Sequence, residues 1–105
     1  MISDFREKKN ILLKQEALIE VKRLVSLLRE RFDFESLYIF GSLVYGKFGR
    51  HSDIDMSVTG MKIEDFFKAY ALLIKESKFD VDLKPFEDLT DDLKQKILSK
   101  GQRIG

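Results

Sequence analysis

A Gly-Ser pair, Gly41-Ser42, is followed after ten residues by Asp53-Ile54-Asp55. Side chains alternate along a strand, so Asp53 and Asp55 share one face while Ile54, Met56 and Val58 take the other. Two carboxylates with Cα atoms ~7 Å apart on one face can converge on divalent cations, and hard cations prefer oxygen ligands. Gly41 has no Cβ, so its backbone can approach a ligand closely, and the Gly-Ser turn can hold a phosphate beside the acids. A second alternating run, Phe79-Asp80-Val81-Asp82-Leu83, turns Phe79, Val81 and Leu83 inward and both acids outward. If the two runs are neighbours in one sheet, Asp82 or Asp80 supplies a third carboxylate.

The flanking elements must aim these groups. Leu37-Tyr38-Ile39-Phe40 reads as a buried strand leading into the Gly-Ser turn. Ser42 fits as the N-cap of a short helix, Leu43 to Tyr45, or its hydroxyl bonds a phosphate oxygen. Gly46 and Gly49 punctuate the loop that follows, in which Ser52 can order the backbone through a local bond. His51, the sole histidine, is given no catalytic role. Gly60 closes the carboxylate strand.

Residues 11–32 form a helix with Ala17, Val21, Leu24, Leu28 and Phe32 on one face, flanked by Leu18 and Val25. Residues 1–10 either fray or extend it. Lys14, Glu20, Lys22, Arg23, Arg29 and Glu30 read as a solvated face. A helix over 62–77 carries the apolar stripe Ile63, Phe66, Phe67, Tyr70, Leu73 and Ile74, and its aromatic cluster reads as core. Lys84-Pro85 ends the third strand. Thr90 caps a last helix with Leu93, Ile97 and Leu98 inward, Asp91 and Asp92 in its first turn, Lys100 in its last, and Gly101 after it.

Gly41-Ser42 with Asp53-Ile54-Asp55 ten residues on resembles the signature of the DNA polymerase beta-like nucleotidyltransferase superfamily. The short chain is similar to the minimal nucleotidyltransferase (MNT) branch, the antitoxins of HEPN–MNT pairs, over roughly residues 20–105. The resemblance implies an α+β fold, a small mixed β-sheet backed by helices. It also implies magnesium-dependent nucleotidyl transfer with two ions and ATP as donor. On this basis Asp53, Asp55 and Asp82 are the expected catalytic and metal-ligating residues. Asp82 is preferred to Asp80 because Val81-Asp82-Leu83 matches a V-D-L step of the family. Gly41, Ser42 and Lys47 are the expected phosphate contacts, with Arg50 less favoured. The chain departs from the family at Tyr45, where many members carry a basic residue before the second glycine. Lys47 is its substitute, or triphosphate binding is weaker.

The 105 residues fit one domain, 1–105, in which 44% apolar and 35% charged residues indicate a folded chain. Nineteen basic and 18 acidic residues leave a net charge of +1, which argues against broad electrostatic nucleic-acid binding. Absent cysteine excludes disulfides and thiolate metal sites. No secretory signal and no membrane-spanning run is visible, so cytoplasmic residence is the expectation. The elements consume the chain and leave no acceptor domain. The expected acceptor is therefore a hydroxyl on a partner, which by analogy is a helical HEPN-domain protein, and the chain is a homo- or hetero-oligomer candidate. The alternatives are a nucleotide-binding protein that neutralises a toxin by binding alone, and adenylylation of a small molecule.

Overall fold

The computed structural model describes residues 2–105, and side chains from Lys8 onward. Helix α1 spans Ile2–Arg31 and so takes in residues 2–10 as well. No glycine or proline interrupts that stretch. Ala17, Val21, Leu24 and Leu28 are buried at spacings of four, three and four. Strand β1 (Ser36–Phe40), the single-turn helix α2 (Ser42–Tyr45) and strand β2 (Ile54–Thr59) follow. Helix α3 (Ile63–Glu76) crosses over to strand β3 (Val81–Pro85). A 3-10 turn, Phe86–Asp88, leads to helix α4 (Asp91–Lys100) and strand β4 (Gln102–Arg103).

The sheet order is β3-β2-β1-β4. β1 is antiparallel to both β2 and β4, whereas β2 and β3 run parallel, as a helical crossover allows. Leu37, Ile39, Ile54, Met56, Val58 and Leu83 face α1 and α3 in one core with Phe66, Ala69 and Leu73. β4 was not legible, because two residues carry no period; it is held by Ile104 N–H donating to the Leu37 carbonyl at 2.8 Å. The opposite sheet face is partly covered: Phe86 stacks on Tyr38 with ring centroids 6.1 Å apart, and α4 packs on β1.

Three readings of the helices need correction. Ile63, Phe67 and Ile74 are exposed, at 67%, 66% and 66%. They form a stripe roughly 100° around α3 from the buried Phe66-Ala69-Leu73 line, which faces the core. On α4, Ile97 is buried but Leu98 is exposed. Glu20 is not on a solvated face: it is 3% exposed. Its carboxylate accepts from Arg23 Nε at 2.7 Å and from the Lys78 N–H at 2.7 Å, while Arg23 also donates to the Glu76 carbonyl at 2.6 Å. These bonds tie α1 to the α3–β3 junction.

The hydrogen bond from Arg23 holds the Glu20 carboxyl below its ordinary value of 4.5, with the Lys78 N–H adding to the effect. A depressed folded-state value means stability that is full above the unfolded value and is lost as pH falls through the folded one. Glu20→Ala should therefore cost about 1.5–3 kcal/mol in urea melts at pH 7, and the gap to wild type should shrink by pH 3. An unchanged gap would remove the ionised carboxylate from this account.

Candidate active site

β1 delivers the chain to the site at Phe40, which lies opposite Asp55. Gly41 then turns with φ 73° and ψ −149°, a conformation open essentially to glycine. Its carbonyl accepts from the N–H groups of Val44 and Tyr45, both at 3.1 Å, and starts α2. The cap position is thus Gly41, and Ser42 is the first helical residue; the expected Ser42 N-cap is not formed, because the cap residue has no side chain. A Cβ added at Gly41 would lie 2.2 Å from Asp55 Oδ2. The Gly41 turn and the Asp55 carboxylate abut at this point.

The loop after α2 is pinned. Phe48 is buried, packing edge-on to Phe79 at 5.9 Å, and Ser52 Oγ accepts from the Gly49 N–H at 3.0 Å. Lys47, Arg50 and His51 are exposed on it. Tyr45 is 42% exposed, and Lys96 of α4 sets its ammonium 5.3 Å from the ring centroid, bringing a positive charge to the position where the sequence lacks one.

Asp53 stands exposed immediately before β2, and Asp55 is half-buried within it. The parallel register sets Asp55 directly beside Asp82, about 4.8 Å away between strands. Asp80 precedes β3, exposed, and only its carbonyl joins the ladder, accepting from Ile54 N–H at 2.8 Å. Asp82 is engaged on both oxygens: Tyr70 Oη lies 3.4 Å from Oδ1, and Lys84 Nζ contacts Oδ2. Lys84 and Tyr70 thus join the acidic face beyond the residues expected there. The signal for Lys84 was present, since a residue two places after Asp82 shares its face.

Burial pushes the Asp55 carboxyl up, and the Asp82 and Asp53 charges push the same way against the pull of Lys84. Half-buried, mutually repelling oxygens suit a hard divalent cation. Among the described residues, however, no three such side chains converge tightly enough to enclose an ion as they stand. The arrangement offers carboxylates that a cation can draw together, beside a turn with an unobstructed backbone.

A family model described as Polymerase beta, Nucleotidyltransferase matches residues 22–105. The chain belongs to this nucleotidyltransferase family. Its four-stranded mixed sheet with helices is the nucleotidyltransferase fold, shared with solved structures. One is a toxin–antitoxin with AMP-PNP, 27% identical, with a TM-score of 0.68 over 82% of this chain and 72% of that one. Another is the toxin–antitoxin MntA-HepT, 21% identical, with a TM-score of 0.63 over 84% of this chain and 71% of that one. No curated protein matches the chain significantly. Among the described residues, no helix of this nucleotidyltransferase is long and apolar enough to cross a membrane.

Proposed function

We propose that this nucleotidyltransferase transfers AMP from ATP, with magnesium, to a hydroxyl of a partner protein, as the antitoxin of a toxin–antitoxin pair. The observation that carries the reading is the junction of Gly41 with Asp55 Oδ2, which brings a phosphate turn and a carboxylate pair to one point. The likeness to a toxin–antitoxin with AMP-PNP supports both the nucleotide and the partner. A helical HEPN-type toxin is the partner by analogy, and the exposed stripe Ile63, Phe67 and Ile74 is apolar surface suited to a protein contact.

In this mechanism the Gly41 turn and the Ser42 hydroxyl hold the β- and γ-phosphates, with Lys47 or Lys96 lending positive charge. Asp53, Asp55 and Asp82 are the oxygen ligands for two magnesium ions. Bound magnesium supplies charge stabilisation at the attacking and leaving oxygens. The acceptor oxygen forms a bond to the α-phosphorus, the bond from that phosphorus to the bridging oxygen breaks, and pyrophosphate leaves. Asp82 takes the acceptor's proton. The partner contributes the hydroxyl and its own orientation.

A binding-only antitoxin has one observation in its favour: among the described residues no three acidic side chains stand close enough together to enclose an ion, and Asp82 is engaged by Lys84 and Tyr70. Co-expression with the product of the neighbouring gene, followed by intact mass measurement, separates the two. An AMP adduct on the partner, absent with Asp53→Asn/Asp55→Asn, is the expected result. An unmodified partner that is still neutralised by the double variant would replace catalysis with binding.

A further inference from the structure

The carboxylate face carries a cation of its own. Lys84 follows Asp82 by two residues on β3, and its ammonium contacts Asp82 Oδ2. Its main chain is fixed, because β2 pairs Ser57 with Lys84 and Ser57 Oγ donates to the Lys84 carbonyl at 3.2 Å. Its side chain is 35% exposed, so the head has a path to solvent along a flexible four-carbon stem. Tyr70, on α3, sets its hydroxyl 3.4 Å from both the Val81 carbonyl and Asp82 Oδ1, and its single proton is shared between these two acceptors. Asp82 therefore has a neutral hydroxyl within reach of one oxygen and a movable charged donor on the other.

We propose that Lys84 is a built-in counter-cation that occupies Asp82 while the site holds no metal and is displaced when a divalent ion engages Asp82 and Asp55. The inference rests on the metal-site reading above. Asp55 and Asp82 on two neighbouring strands, with Asp53 just before one of them, repel one another, and a tethered ammonium offsets that repulsion at no cost in recruiting an ion from solution. For the same reason it competes with a divalent ion for the same oxygen. Like-charge repulsion expels the ammonium once the ion binds, while Tyr70 keeps the carboxylate in place. Lys84 is in this sense a positioning residue: it sets how strongly metal alone binds, so that the site stays closed until metal arrives with a polyphosphate that adds further ligands.

The test is a Mn2+ titration of the full chain without nucleotide, followed by the electron paramagnetic resonance signal of the free ion. Lys84→Met should bind Mn2+ at least about tenfold more tightly than wild type, and Lys84→Arg, which keeps the charge, should stay near wild type. Without metal the methionine variant should melt below wild type, and Mn2+ should raise its melting temperature by more. Lys84→Gln gives the same comparison should the methionine variant not fold. Unchanged or weaker Mn2+ binding in a folded charge-removing variant overturns the proposal. Asp55→Asn separates the two levels: if it binds Mn2+ as wild type does, the metal site itself is misplaced. If it loses Mn2+ while charge removal at Lys84 changes nothing, only the counter-cation role is wrong.

Discussion

Asp55→Asn should lower AMP transfer by at least about 100-fold and at the same time raise the melting temperature. The loss follows from its position: even residues that merely support metal ligands cost about 10–100-fold when removed, and Asp55 is assigned as a ligand itself. The gain follows from its electrostatics. Burial, with the nearby Asp82 and Asp53 charges, raises the Asp55 carboxyl above its ordinary value. A raised folded-state value means that ionisation opposes folding; the penalty is full above the folded value and vanishes as pH falls to the unfolded one. The asparagine variant should therefore melt roughly 2–4 °C higher at pH 7, and the two proteins should converge toward pH 3–4. Circular dichroism melts beside a transfer assay measure both. Retained transfer would move the metal site elsewhere, and a lower melting temperature would make Asp55 a structural residue.

Gly41→Ala should abolish nucleotide binding and also damage the fold. From sequence alone, alanine here is expected to harm binding more than folding, because a methyl would intrude on the phosphate. The structure adds two costs. The φ of 73° is strained for any residue with a Cβ, at about 1–3 kcal/mol, and the methyl would meet Asp55 Oδ2 at 2.2 Å. Gly49→Ala is the control, since among the described residues a Cβ there would meet Asn10 Oδ1 at an ordinary 3.8 Å, and it should be close to neutral. Calorimetry with a nonhydrolysable ATP analogue and thermal melts report the two effects separately. Wild-type behaviour of Gly41→Ala in both would displace the phosphate turn from the site.

Much of this site is a matter of local sequence. Period-2 alternation puts Asp55 and Asp82 away from the core on their own strands, and the helix period finds Ala17, Val21, Leu24 and Leu28. What alternation does not contain is the relation between strands. That Asp82 rather than Asp80 stands beside Asp55 is set by the parallel register, which the α3 crossover decides. The burial of Glu20 likewise depends on where the Lys78 N–H lands after that crossover. Within α3 the apolar pattern is wider than the buried line, so Phe67 passes as core by composition and faces outward in the fold. The Gly41 cap differs from the expected Ser42 because a positive φ leaves no trace in a spacing pattern.

β3 lies at the outer edge of the sheet. An outer strand exposes a row of backbone groups to which another chain can add, and the usual protections are charge, proline and a covering side chain. β3 has all three. Asp82 and Lys84 carry opposite charges along it, Pro85 has no N–H to offer, and the Tyr70 side chain covers the Val81 carbonyl with its hydroxyl 3.4 Å away. The residues assigned to chemistry thus also guard the molecule against self-association through its own sheet. Neutralising β3 to probe catalysis removes that guard, and the resulting variant risks aggregating for reasons unrelated to the reaction.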